Sequence, residues 1–153
     1  MDKIDKKLLA VLQSSADIGN AAIGAIIGLS ASQVSRRRQK LEHSGVILGY
    51  QAILDPASLG LTLNAIIRVK LSMHSERGAN EFRDFVHQLG AVRFACSITG
   101  DADYLMLVRL TNLDALSTLI NRQLLAHKLV SEVRSEVVLD TIKDNSEPPA
   151  TSL

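Results

Sequence analysis

Two short stretches carry side chains whose types and spacing could do chemistry. In the first, ASQVSRRRQKLEH, the residues Ser32, Gln33, Ser35, Arg36, Arg37, Arg38, Gln39 and Lys40 crowd polar and cationic groups onto one segment. Arginine can donate two parallel hydrogen bonds to a guanine edge, and glutamine can pair with adenine. Ser32, Gln33, Arg36 and Arg37 therefore suit contacts to bases, and Arg38 and Lys40 suit phosphate contacts or packing by their stems. The same stretch also reads as a solvated basic helix on any small domain. In the second, SITGDADYL, Asp101 and Asp103 flank a turn at Gly100, with Ser97 and Thr99 on one strand face and Tyr104 alongside. The two carboxylates could accept from the ammonium group of a small ligand whose carboxylate is held by backbone donors near Gly100. Alternatively, Asp101 simply makes the turn and Asp103 is solvated, and the residue types alone favour that plainer reading. No nucleophile–base pair, phosphate-cradling glycine loop or metal-ligand motif accompanies either stretch. The expectation is a protein that is not an enzyme and needs neither metal nor cofactor.

The first stretch needs a rigid helix, and its flanks supply one. Ser30 precedes Gln33 by three residues, the S-x-x-Q capping box, and Leu29 and Val34 fall at the positions of a hydrophobic staple. Val34, Leu41 and the Arg38 stem should face inward. Ser32, Ser35, Arg36, Gln39, Lys40 and His43 should face outward. Gly45 supplies the left-handed residue that usually ends a helix. Val46, Ile47, Leu48 and Tyr50, continued by Gln51 to Leu54, predict a short β-ribbon, or wing. Upstream, Ile4, Leu8, Leu9 and Leu12 recur at helical spacing over residues 2–14. Asn20 reads as the N-cap of a second helix over residues 21–27, in which Gly24 should cost about 1 kcal/mol relative to alanine. Gly28-Leu29-Ser30 then turns into the basic helix. Three short helices with a glycine-containing turn before a basic third one spell a helix-turn-helix.

The second stretch sits among alternating strands. Asp55-Pro56 opens a connector over residues 55–62. Residues 63–71 alternate as a half-buried strand. Phe82, Phe85, Val86 and Leu89 stripe a helix over 77–89, ended by Gly90. Val92, Phe94, Cys96 and Ile98 form a second strand, and Gly100-Asp101 marks a tight hairpin into a third strand over 104–110. Leu113, Leu116, Leu119, Ile120 and Leu124 stripe another helix, and Val133, Val137 and Leu139 alternate in a last strand ending near Ile142. The order β-α-β-β-α-β is the ferredoxin-like arrangement. Both helices should cover one sheet face. Ile66 and the outer side of strand 104–110 leave the other face apolar, which predicts a partner, most simply a second copy of the chain.

Composition bounds the class. The 153 residues are 46% hydrophobic, too apolar for a disordered chain. Net charge is +1 but uneven. Residues 1–54 carry seven Lys/Arg against four acids, +3, and residues 55–153 carry ten against twelve, −2. A basic head on a near-neutral body fits nucleic-acid binding. Cys96 is the only cysteine, so no internal disulfide can form. The N-terminus has no signal-peptide core and no apolar run approaches a membrane span, so a cytoplasmic protein with no membrane partner is expected.

The segments DKIDKKLLAVLQ, NAAIGAIIGLSASQVSRRRQKLEHSGVILGYQAILDPASLG and TGDADYLMLVRL resemble the Lrp/AsnC (feast/famine) family of transcriptional regulators over about residues 2–143. Arg37, Leu41, Gly45, Ile47, Gly49 and Tyr50 fall at the family's spacing. The chain departs from the family's Ala-Arg-Ile pattern before the second helix, where it carries Ala16-Asp17-Ile18. The resemblance implies an α+β chain. A winged helix-turn-helix over 1–54 and a hinge over 55–62 would lead to a ferredoxin-like βαββαβ domain over 63–143 for ligand sensing and dimerisation, with a flexible tail over 144–153. It implies double-stranded DNA as partner, homodimers that assemble into larger homo-oligomers, and a small effector, commonly an amino acid. Carried over, the effector-binding positions are Gly100, Asp101, Asp103 and Tyr104, with Ser97 and Thr99 beside them. The alternative is an architectural DNA-binding protein that needs no effector.

Overall fold

The computed structural model describes residues 1–72 and 75–143, so the expected tail over 144–153 lies outside the described residues. The chain separates into two compact units, with Met1–Ile53 forming the body of one and Leu54–Ile142 the other.

The N-terminal unit holds three helices, α1 (Lys3–Ser14), α2 (Asn20–Ile27) and α3 (Ala31–His43). Leu8, Leu12, Ile23, Val34 and Leu41 form its core, with Leu9, Val11, Ile18, Ile27, Leu29 and Ile47 packed around them. The starts of α1 and α3 have a local cause. The Asp2 carboxylate accepts the N–H groups of Ile4 and Asp5, and Asp5 accepts the Asp2 N–H in return. Ser30 and Gln33 make the same reciprocal box at α3. The N-cap of α2 is Gly19, not Asn20, which is the first helical residue. With no side-chain cap there, the entry to α2 rests on packing and not on a local bond.

Gly24 has a different role from the cost assigned to it above. It is buried, and its carbonyl oxygen accepts the N–H groups of both Gly28 and Leu29 at 2.9 Å. A Cβ at this position would lie 2.3 Å from the Leu29 carbonyl oxygen. The missing side chain lets the turn fold back over the helix, and Gly28 at φ 77° completes the reversal.

The expected wing does not form. Residues 46–54 make no strand, and Leu48 and Ile53 are each 94% exposed. A strand needs a ladder partner, and the described residues of this unit otherwise form helices and turns. β-Propensity was present in the segment, with no strand to pair with among the described residues of the unit.

The C-terminal unit runs β1 (Leu63–Leu71), α4 (Glu76–Gln88), β2 (Val92–Ser97), β3 (Tyr104–Leu110), α5 (Leu113–Thr118) and β4 (Val130–Val137). α5 continues into a π-helical turn over Leu119–Leu124. The sheet is antiparallel with order β2-β3-β1-β4, the ferredoxin-like topology. Ala65, Ile67, Val69 and Leu71 point to one face with Met106 and Val108, against Phe82, Leu116, Leu119 and Leu124 from the helices. The last strand begins earlier than its alternation predicted and stops at Val137; Leu139 and Ile142 lie beyond it, 97% and 96% exposed.

The second strand differs in a way that matters for the outer face. A register irregularity between Val92 and Phe94 breaks the alternation. Val92 packs toward the helices, whereas Phe94 pairs with Leu107 and Cys96 with Leu105 on the other face. On that face Phe94, Leu105, Leu107 and Ile66 form an apolar strip, and charged groups lie beside it, where Arg68 pairs with Glu136 and Arg134 with Glu132.

Candidate nucleic-acid interface and ligand cleft

Helix α3 sorts the eight DNA-contact candidates into distinct environments. Ser32, Arg36, Gln39 and Lys40 are exposed on the side opposite Val34 and Leu41, and Ser35 is half-buried at its margin. Gln33 is exposed, but its Oε1 accepts the Ser30 N–H at 2.9 Å as part of the cap. Its amide nitrogen is the end left for outside contacts.

Arg37 and Arg38 are spent largely within the unit. Arg37 Nη1 donates to Asp2 Oδ2 at 2.7 Å and to Asp5 Oδ1 at 2.6 Å, so α3 is tied to the start of α1. The Asp5 side chain is only 8% exposed. Burial pushes the Asp5 carboxyl up, but the Asp2 N–H and the Arg37 guanidinium outweigh it and hold it below the usual range. The Asp5 N–H and then Arg37 lower Asp2 in the same way, and both carboxylates raise Arg37. Reading the sequence alone missed this triad, although D-x-x-D at a helix start is a capping signal.

Arg38 packs against the linker over residues 44–54 that follows α3. Its Nε donates to the Tyr50 hydroxyl at 2.7 Å, and its guanidinium carbon lies 4.4 Å from the Tyr50 ring centroid. The Tyr50 O–H donates to Glu42 Oε1 at 2.8 Å. Burial and the bond to Glu42 raise the Tyr50 pKa, which keeps the phenol protonated.

The hairpin candidates also divide. Ile98 N–H donates to the Asp103 carbonyl and closes a loop longer than the tight turn expected, with Gly100 at φ 119°. Ser97, Asp103 and Tyr104 line a cleft of about 390 Å³ together with Leu71, Ser75, Glu76, Ala79 and Ile98. Thr99, Gly100 and Asp101 are not part of that lining. Asp101 instead accepts from Arg134 Nη1 at 2.9 Å, so two carboxylates only two residues apart serve different parts of the domain. Asp103 is fixed to β1: its N–H donates to the Val69 carbonyl, and its Oδ2 accepts the Leu71 N–H at 2.7 Å. The Tyr104 ring lies 4.7 Å from that of Phe82, which anchors the cleft wall in the core. Leu71, Ser75, Glu76 and Ala79 escaped the sequence reading because β1 and α4 reach the hairpin only through the sheet.

The arrangement is that of a helix-turn-helix DNA-binding head joined to a ferredoxin-like domain with a small polar cleft. Residues 1–42 match the AsnC-type helix-turn-helix domain, and residues 64–148 match the Lrp/AsnC ligand binding domain. Among similar proteins is the leucine-responsive regulatory protein of Rhizobium meliloti strain 1021, 33% identical over 94% of this chain and 92% of that one. The DNA-binding transcriptional activator DecR of Escherichia coli K12 is 30% identical over 97% and 98%. A Neisseria meningitidis transcriptional regulator solved as an L-Met complex superposes with a TM-score of 0.94 at 32% identity, covering 99% of this chain and 98% of that one. An AsnC family regulator from Agrobacterium tumefaciens superposes at 0.93 with 27% identity, covering 100% and 99%. The chain belongs to the Lrp/AsnC family. It is a DNA-binding transcriptional regulator and not an enzyme.

Proposed function

We propose that this regulator reads specific DNA sites as a homodimer and that a small effector, an amino acid, bound in the hairpin cleft changes its activity or assembly. The cleft is the observation that carries the effector reading. It sets two carboxylates, Asp103 and Glu76, and two hydroxyls, Ser75 and Ser97, against the apolar walls of Leu71, Ile98 and Ala79. Carboxylates suit an ammonium group, and the positive end of α4, which starts at the cleft, suits a carboxylate. The L-Met complex of the Neisseria relative supports the same ligand class. On the head, Ser32, Ser35, Arg36, Gln39 and Lys40, with the Gln33 amide end, are the groups that would meet bases and phosphates.

The outer sheet face supports dimerisation. Phe94 is 51% and Leu107 40% exposed, and Ile66 and Leu105 adjoin them. A second copy laid sheet to sheet would cover this patch, and pairing would present two recognition helices to two half-sites.

A thermal-shift screen of the purified protein against the twenty amino acids tests the effector reading. A ligand specific for the folded state raises the melting temperature by mass action. A selective shift that vanishes in Asp103→Asn, which keeps an acceptor for the Leu71 N–H, supports the cleft. Specific DNA binding that ignores every amino acid favours the architectural reading instead.

A further inference from the structure

The segment over residues 43–63 lies between the two family-matched regions, and within it Tyr50 bonds back to two side chains of α3. Gly45, at φ 71°, reverses the chain after α3, and the N–H groups of Val46 and Ile47 return to the Leu41 carbonyl. Ile47 packs on the head core. The chain thus runs back beside α3, and Tyr50 reaches Arg38, twelve positions upstream. There it makes three contacts at once: the Arg38 Nε bond, the guanidinium over its ring, and its own O–H donated to Glu42. Arg38 and Glu42 also face each other one helical turn apart, at 3.4 Å. Beyond Tyr50 the hold ends: Gln51, Ala52 and Ile53 are exposed.

This clasp lies away from the exposed side of α3. Arg36, Gln39 and Lys40 are exposed, whereas Arg38 and Glu42 are half-buried beside Val34 and Leu41. Its position therefore suits control of where the linker leaves the head, and not contact with a base.

We infer that Tyr50 is a positioning residue for DNA recognition: clasped between Arg38 and Glu42, it fixes the point and direction at which the linker departs from the reading helix, and so sets the half-site spacing that a dimer accepts. The inference rests on the paired-helix reading above. A tether anchored at Ile47 alone leaves three more residues free, and a longer free tether spreads the distances its ends can take. Releasing Tyr50 should therefore cost spacing selectivity and not intrinsic grip on a half-site.

The test uses the full-length protein and a panel of duplexes carrying one half-site, or two half-sites at stepped separations. In the wild type, affinity should peak at one separation. In Tyr50→Ala, affinity for the single half-site should stay within about twofold, and the advantage of the best separation over its neighbours should shrink about tenfold. Tyr50→Phe keeps the ring under Arg38 but loses both hydroxyl bonds, and should fall between the two. A circular dichroism spectrum matching wild type confirms that the head is folded in each variant. If Tyr50→Ala keeps the full spacing preference, or loses single and paired sites in equal measure, the positioning role is overturned. If the wild type shows no spacing preference, the paired-helix reading fails first and the clasp falls with it.

Discussion

Three consecutive arginines on α3 have three different jobs, and only their partners tell them apart. Arg36 is exposed among the outward groups, Arg37 is bonded to Asp2 and Asp5, and Arg38 to Tyr50. Arg36→Ala should therefore weaken binding to a mapped site about tenfold or more with no change in melting temperature. Arg37→Gln should lower the melting temperature at neutral pH. Its pH dependence follows from the depressed Asp2 and Asp5 values. A carboxyl depressed on folding stabilises fully above its unfolded pKa, about 3.9, and that contribution disappears as pH falls through the folded value. The gap in melting temperature between wild type and Arg37→Gln should thus narrow below about pH 4. A gap independent of pH would show that Arg37 acts through packing of its stem.

At the level of elements, the turn between α2 and α3 depends on an atom that is absent. Alanine is the better helix former by about 1 kcal/mol. Gly24→Ala should nevertheless destabilise the head, by about 2–3 kcal/mol, because the new methyl meets backbone and not a movable side chain. Chemical denaturation followed by circular dichroism measures it, and a stabilised variant would mean that the turn can shift at little cost. The Ser30–Gln33 capping box and the apolar stripes were legible locally, since each depends on residues within a few positions of one another, whereas the Asp2–Asp5 box went unread. The fate of the wing was not legible. Val46, Ile47, Leu48 and Tyr50 have strand-forming side chains, but a ladder requires a second strand, and the described residues of the N-terminal unit contain none.

For the whole molecule, the apolar strip of Phe94, Leu105, Leu107 and Ile66 is the feature that predicts self-association. Phe94→Glu places a charge in its middle and should shift the protein toward monomer in sedimentation while leaving the melting of the helix-covered core largely intact, because Phe94 contributes nothing to that core. An unchanged oligomer would move the interface to another surface. The paired Asp101–Arg134 and Arg68–Glu136 contacts on the same domain lie in solvent and should add little in the isolated chain.

The sequence by itself determined the two-part architecture, the helix-turn-helix, the βαββαβ order and the family, because periodicity, caps and turn glycines act over short spans. It also drew attention to the hairpin over residues 97–105. Tertiary structure alone decided which of that hairpin's carboxylates faces the cleft. Asp103 turns to β1 and Asp101 to β4, a choice made by strand neighbours more than 30 positions away. It likewise decided that Arg37 is a strut and Arg38 part of a clasp. The physical reason is the same in each case: an ionic side chain is assigned by whatever opposite charge or acceptor folding brings within bonding distance, and sequence spacing does not carry that distance.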